Sequence, residues 1–225
     1  MTRPAAQDDV ARLRIEPLEE ARREAAACTA CPLYADATRT VFGEGQPGAA
    51  VMLVGEQPGS HEDLEGRPFV GPAGRLLDRA LSEAGIERSD VYVTNAVKHF
   101  KFARRGKLRI HQRPLIGEVT ACRPWLAREI EIVNPRIIVT LGATAGRAIF
   151  GPGFRVTQSR GRVVHLENGR LGLGTIHPSA LLRIEDAQER AYGVSRLADD
   201  LALTRRAADN LPASVVQPSS TATAR

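Results

Sequence analysis

Apolar positions along this chain fall into short bursts separated by glycine, proline and charge, and the bursts follow two periods. AVMLVG over 50–55 is a continuous apolar run ending at glycine, the pattern of a strand buried on both faces. VYVTN over 91–95 and RIIVTLG over 136–142 read the same way, and RVVHLE and LGLGTIH supply two more candidate strands. Between them, GPAGRLLDRALSEAG over 71–85 spaces its apolar residues for a helix and closes on a glycine of the C-cap kind. Further helices are expected over 115–133, over the short stretch ATAGRAIFG, and over 186–207, and LEEARREAAA has helix-forming composition. Residues 1–17 and the Ser-, Thr-, Pro- and Ala-rich 208–225 are expected to be disordered, which leaves one domain over 18–207. Strands alternating with helices predict an α/β fold, a mainly parallel sheet covered on both faces. Working residues of such sheets gather at the carboxyl ends of strands, here Gly55, Asn95, Gly142 and His177 onward.

Charge changes the picture locally. The net charge is +5, but residues 98–113 carry seven Lys and Arg and no acid, so the remainder sums to −2. A basic excess packed into one stretch is either a polyanion-binding surface or a solvated loop. No run approaches the roughly 18 apolar residues of a membrane span, and the polar N-terminus lacks the apolar core of a signal peptide. The expectation is a cytoplasmic monomer without membrane contact. Gly43 to Gly48 matches G-x-G-x-x-G, but it precedes a strand and opens no helix, so it is not read as a dinucleotide site.

Three cysteines, an odd number, point to ligands or free thiols in a reducing compartment. Cys28 and Cys31 form C-x-x-C before a proline, and Cys122 stands near the start of a helix. No strand precedes the pair, which excludes a thioredoxin-like redox site. Zinc, an iron–sulfur cubane and three buried apolar thiols all remain open on spacing alone.

The motifs CTACPLY, VFGEG, GEQPG with the following Glu62-Asp63, GRPFVGPAGRLLD, TNAVK, CRPWL and IHPS occur in order between residue 28 and about 183. Together they resemble the iron–sulfur uracil-DNA glycosylases of family 4. The resemblance implies a three-layer α/β/α sandwich with a four-stranded, mainly parallel central sheet, and a [4Fe-4S] cluster. That family has a cysteine directly after the lysine of its NxVK motif, whereas this chain has His99 after Lys98. This departure, with the inserted RRGKLRIH over 104–111, resembles the UdgX branch of the superfamily. By that resemblance the cluster ligands are Cys28, Cys31, His99 and Cys122, and the partner is uracil-containing DNA, single- or double-stranded.

Taking a base out of DNA requires a pocket that holds it after it leaves the stack and stabilises it as a leaving anion. The resemblance places Gly55, Glu56 and Gln57 against the sugar and the uracil edge, with Glu56 available to balance charge. Phe69 is a candidate stacking face, though a core phenylalanine reads equally simply. Asn95 offers both a donor and an acceptor, which suits uracil N3–H and O4 and mismatches cytosine; at a strand end it is otherwise a turn residue. His177, followed by Ser179, is the candidate donor to the growing negative charge on uracil O2. Lys101, Arg104, Arg105 and Lys107 are the candidate phosphate contacts. The UdgX-type loop reads K-R-R-I-H, and here Lys107-Leu108-Arg109-Ile110-His111 keeps Arg109 and His111 but has leucine at its second position. A neutral imidazole held at C1′ outcompetes water for the sugar cation, which makes His111 the expected nucleophile of a covalent protein–DNA adduct. A multi-turnover glycosylase and a non-catalytic iron–sulfur protein that binds nucleic acid are the alternatives.

Overall fold

The computed structural model describes residues 5–166 and 169–210, with side chains described over 15–166 and 169–208. In chain order the elements are α1 (Ala5–Ala26), β1 (Val51–Gly55), α2 (Ser60–Glu65), α3 (Pro72–Glu83), β2 (Val91–Asn95), β3 (Phe102–Arg105), β4 (Leu108–His111), α4 (Ile116–Val133), β5 (Ile137–Leu141), α5 (Ala143–Phe150), α6 (Val156–Ser159), β6 (Val163–His165), β7 (Leu171–Thr175), α7 (Pro178–Leu181) and α8 (Ala187–Asn210). The main sheet runs β2-β1-β5-β7-β6. Its first four strands are parallel, and β6 joins antiparallel to β7. The sheet therefore has five strands where four were expected, the fifth being a three-residue edge whose side chains are all exposed.

Alternation within the apolar strands sorts them onto two covering layers. Leu53, Val93, Val139 and Leu173 face Leu77 and Leu81 of α3 and Leu197 and Leu201 of α8. Met52, Val54, Tyr92 and Ile138 face Leu18, Ala21 and Ala25 of α1 and Leu126 and Val133 of α4. Each such side chain contributes about 1.5–3 kcal/mol on leaving water, so both layers are held by the sheet they cover. Helix α1 begins at Ala5, well upstream of the expected start at Leu18. Pro17 lies inside it and disguises the continuity. Residues 1–4 and 211–225, assigned to disordered ends, lie outside the described residues, and 208–210 belong to α8.

The basic segment also differs from the expected loop. Phe102–Arg105 and Leu108–His111 pair antiparallel around a two-residue Gly106-Lys107 turn, so the inserted sequence is a β-hairpin. The G-x-G-x-x-G stretch covers the outer edge of β2 instead of binding a nucleotide: Glu44 forms an isolated bridge with Val93.

Reversal of strand order at β1 sends β2 to one side and β5 to the other, opening a crevice at their carboxyl ends. Beneath it lies a buried ion pair. Lys98 and Glu129 are both fully buried, with Nζ 2.5 Å from Oε2. Lys98 also donates to Thr94 Oγ1 at 2.7 Å and to the Asn95 carbonyl at 2.8 Å. Glu129 accepts from Tyr92 OH at 3.0 Å and from Gly43 N at 2.8 Å. Removing one member of a buried pair leaves the other charged and unpaired, at about 3–5 kcal/mol. Glu129→Ala should therefore lower the urea-unfolding free energy by that order. Arg79→Ala, which breaks an exposed α3 pair with Glu83, should cost under about 1 kcal/mol.

Candidate active site

The crevice is stitched together by backbone. Beyond the strand ends, Ala96 N donates to Gly55 O at 2.9 Å and Val97 N to Glu56 O at 3.0 Å. Gly55 and Asn95 are register partners. A Cβ on Gly55 would lie 2.3 Å from Asn95 Oδ1 and 2.6 Å from Phe69 Cζ, so only glycine allows the three to meet. Asn95 is 2% exposed, and its Oδ1 has no hydrogen-bond partner in the protein. An orphaned buried acceptor costs about 1–3 kcal/mol, so this oxygen calls for a donor from a ligand or a water.

Phe69 brings its ring to this pocket through a backbone angle that L-residues seldom adopt, φ 56°. A non-glycine residue there costs on the order of 1–3 kcal/mol and persists where the surroundings over-determine it. Gly74 is part of that surrounding structure: a Cβ at that position would lie 1.8 Å from the Phe69 carbonyl oxygen. The Phe69 ring stands 5.9 Å from the imidazole of His177, tilted by 30°.

His177 caps α7, and the Ser179 backbone N–H donates to its Nδ1 at 3.1 Å. Nδ1 is thus an acceptor, and the ring proton is assigned to Nε2. Burial, with smaller contributions from His111 and Arg183, pushes its pKa down to about 4. At neutral pH His177 is an uncharged imidazole with one N–H to offer.

Glu56 accepts a hydrogen bond from Thr144 in the first turn of α5. Its other oxygen is 3.7 Å from His111 Nε2. Gln57 ties down the hairpin base: Oε1 accepts from Lys101 N at 3.0 Å, while Nε2 donates to the carbonyls of Lys101 at 3.2 Å and Gln112 at 2.9 Å. These backbone partners fix the amide's orientation, so Gln57 Nε2 also faces His111 Nε2 at 2.9 Å as a donor. His111 Nε2 then carries the lone pair and Nδ1 the proton. With two protons and three acceptors, Gln57 can release His111 and remain satisfied. Burial lowers the His111 pKa against the pull of Glu56, and Arg183 and Arg113 lower it further, so the half-exposed ring is neutral at pH 7.

Not every basic residue of the segment is free. Lys101, a candidate phosphate contact, is paired with Glu118 of α4, Nζ lying 2.9 Å from both carboxylate oxygens, and so braces the foot of the hairpin. Arg109, kept in the hairpin together with His111, bonds to Asp63 and Ser60 of α2. Arg104, Arg105 and Lys107 are exposed. Leu108 also stands in solvent at the hairpin tip.

The thiols lie on the far side of Lys98 from the pocket. Cys122 is buried with Leu33 and Val97, and Cys31 packs against the same cluster. Cys122 Sγ accepts from Lys98 N at 3.2 Å, and Cys28 Sγ from Trp125 Nε1 at 3.1 Å. Burial pushes the Cys122 thiol up to about 11. His99 is buried, with Nε2 2.9 Å from Thr40 Oγ1. Among the described residues no group of three or more His, Cys, Asp or Glu closes on a single metal-ion position. All three cysteines are unpaired thiols.

Residues 42–199 match the family model of the Uracil DNA glycosylase superfamily. The chain belongs to that superfamily. Its relatives include a type-4 uracil-DNA glycosylase of Thermotoga maritima, 42% identical over 76% of this chain and 85% of that protein. The type-4 enzyme of Sulfurisphaera tokodaii is 41% identical over 75% of this chain and 77% of its own length. That of Pyrobaculum aerophilum is 40% identical over 69% and 80%.

Within this superfamily member, Gly55, Glu56, Gln57, Phe69, Asn95, His111, His177 and Ser179 all converge on one crevice. Sequence reasoning missed Thr144, Glu118, Asp63, Ser60 and Arg183. Two of these carried a signal: Thr144 follows the strand-ending Gly142, and Asp63 stands in the motif after GEQPG, though no role was read for it. Among the described residues no helix is long and apolar enough to cross a membrane. The His177 environment makes one checkable statement: in 15N-resolved NMR its ring should stay neutral, protonated at Nε2, until a midpoint near 4. A midpoint above 6 would contradict the buried, Ser179-capped geometry.

Proposed function

We propose that this chain is a uracil-DNA glycosylase whose His111 captures the sugar it uncovers. The observation that carries the reading is the unpartnered side-chain carbonyl oxygen Oδ1 of Asn95, held between Gly55 and Phe69. Uracil meets it with N3–H, and the Asn95 amide nitrogen meets O4; cytosine presents an acceptor at N3 and leaves that carbonyl unpaired. Phe69 gives the extruded base a face, worth about 1–3 kcal/mol of stacking. His177 Nε2–H donates to uracil O2. Its similarity to type-4 uracil-DNA glycosylases supports the same substrate and weighs against a purely non-catalytic nucleic-acid binder.

In the reaction the C1′–N1 bond breaks and its electron pair leaves with uracil, the growing charge on O2 stabilised by the His177 N–H. A positively charged sugar remains. The Nε2 lone pair of His111 then forms a bond to C1′, giving a substituted imidazolium that Glu56 balances electrostatically. Its Nδ1 proton passes to solvent, and the uracil anion takes up a proton on release. The new C–N bond has no good leaving group, so the enzyme stops after one turnover. Arg104, Arg105 and Lys107 are the candidate phosphate contacts on the same hairpin. A second reading has support in Glu56, which is partly exposed and oriented by Thr144, and so can also hold a water against C1′.

Wild-type protein mixed with uracil-DNA should give a species that survives boiling in detergent, one strand per chain, and thymine or cytosine controls should give none. His111→Ser should abolish it while uracil and abasic DNA still appear, because the cleavage groups remain. Persistence of the adduct in that variant would remove His111 as nucleophile, and its absence from wild type would favour the hydrolytic reading. Asn95→Ala should lose uracil excision and keep general DNA affinity, measured by filter binding.

A [4Fe-4S] cluster held by Cys28, Cys31, Cys122 and His99 belongs to the same proposal. The donor chemistry fits: two sulfurs already accept N–H bonds, and Leu33, Val97 and Trp125 pack around Cys31 and Cys122. Thr40 occupies Nε2 of His99 and leaves Nδ1 for iron, the far-nitrogen hydrogen bond usual for histidine ligands. A cubane binds its ligands through separate irons, so they stand farther apart than around one zinc ion. When bound, the cluster supplies a rigid cross-link between the α1–β1 segment, the β2 exit and α4. Purified protein should be brown, with iron and acid-labile sulfide at about four each per chain. A colourless protein with stoichiometric zinc would overturn this part.

A further inference from the structure

We infer that Asp63 is the positioning residue of the trap, acting through Arg109 to hold His111 over the sugar; this rests on the reading of His111 as nucleophile. An isolated two-stranded hairpin is marginally stable in water. Among the described residues β3 and β4 pair only with each other. The hairpin needs an anchor, and besides the Lys101–Glu118 pair at its foot the structure holds it through Gln57 and Arg109. Gln57 secures the base, as described.

Arg109 secures the middle. Its Nη1 lies 2.5 Å from Asp63 Oδ2, and its Nη2 donates to Ser60 O at 2.9 Å and Ser60 Oγ at 2.8 Å. The guanidinium also lies 5.5 Å from the Phe100 ring centroid and 5.3 Å from that of Phe102. Asp63 is fully buried in α2, and its other oxygen accepts from Thr38 N at 2.9 Å, so the carboxylate is itself fixed. Arg104, directly across the ladder from Arg109, is exposed and forms no ion pair among the described residues. The ion pair is thus particular to the strand that carries the nucleophile.

Period-two alternation turns this anchor into a positioning device. Arg109 and His111 are two residues apart on β4 and project from the same face. Clamping Arg109 to α2 presses that face toward the crevice, which leaves His111 Nε2 3.7 Å from Glu56. Neither Asp63 nor Arg109 takes part in breaking the C1′–N1 bond. Loosening the clamp leaves Asn95, His177 and Glu56 where they are and lets the imidazole drift. Water then supplies the oxygen that bonds to C1′ and loses its proton to solvent, giving abasic DNA in place of the adduct.

The test measures two products in one single-turnover reaction: uracil released, and DNA covalently held after denaturation. Wild type should give close to one adduct per uracil. Asp63→Asn keeps the side chain's size and its acceptor for Thr38 N but removes the charge that seats Arg109. Excision should slow by less than about threefold, while adducts per uracil fall at least about tenfold, since roughly 1 Å of misplacement costs up to about a hundredfold in an oriented reaction. Ser60→Ala, which removes one hydrogen bond from Arg109 and leaves the carboxylate, should shift the ratio in the same direction by a smaller factor. It also keeps the inference testable if Asp63→Asn fails to fold. An unchanged ratio in Ser60→Ala and Asp63→Asn, with wild type forming adducts, overturns the positioning role. A loss of excision and trapping in equal proportion overturns it too, since that is the mark of a merely structural residue. Absence of an adduct in wild type, with uracil released, instead overturns the reading of His111.

Discussion

Lys98 and Glu129 sit where three segments of the chain must agree. The lysine leaves β2, the carboxylate comes from α4, and the backbone of Gly43 and the hydroxyls of Tyr92 and Thr94 complete their shells. Two full charges in a dry interior are tolerable only in one arrangement, because any drift leaves a charge unpaired. The pair therefore fixes the register of α4 against the end of β2 more sharply than apolar contact could. On one side it holds the Asn95 backbone carbonyl and so the strand end that carries the Asn95 amide. On the other it holds the Lys98 amide against Cys122 and so the thiol pocket. The pocket and the thiols are separated by this one lysine.

Above that foundation the crevice is built from groups kept uncharged or unpaired until a ligand arrives. Burial keeps His177 neutral, and a backbone N–H chooses its tautomer. His111 is neutral for a different balance of reasons, with burial and two arginines outweighing the carboxylate at its side. Asn95 keeps an orphaned acceptor, and Phe69 keeps a strained backbone. Each is a local cost that the apolar layers around the sheet outweigh.

Legibility followed the range of the interaction. The four parallel strands, α3, α4 and α8 could be read because period and flanking glycines are local properties. The strand-end residues Gly55, Asn95 and His177 could be read because topology sends them to one rim. The hairpin could not: its run of lysines and arginines overwhelmed the alternation of Phe102, Leu108 and Ile110. Helix α1 was cut short because Pro17 looks like a boundary, whereas packing of Leu18, Ala21 and Ala25 on the sheet carries the helix through it. The partners of Arg109, Lys101 and Lys98 lie 46, 17 and 31 positions away, and no local pattern announces such pairings. A lysine or arginine in a basic stretch looks the same whether it is free or committed.

The β3–β4 hairpin has a further consequence, for how copies of the protein behave toward one another. A two-stranded ribbon standing clear of the main sheet offers backbone N–H and C=O groups along its outer edges, the template on which strands from separate molecules add and grow into aggregates. Exposed Leu108 and Ile110 would strengthen such pairing. Arg104, Arg105 and Lys107 oppose it, since two ribbons brought edge to edge would set like charges against each other. The same positive charge that is proposed to meet phosphate thereby sets copies of the hairpin against one another, so solubility draws on the side chains to which recognition is assigned.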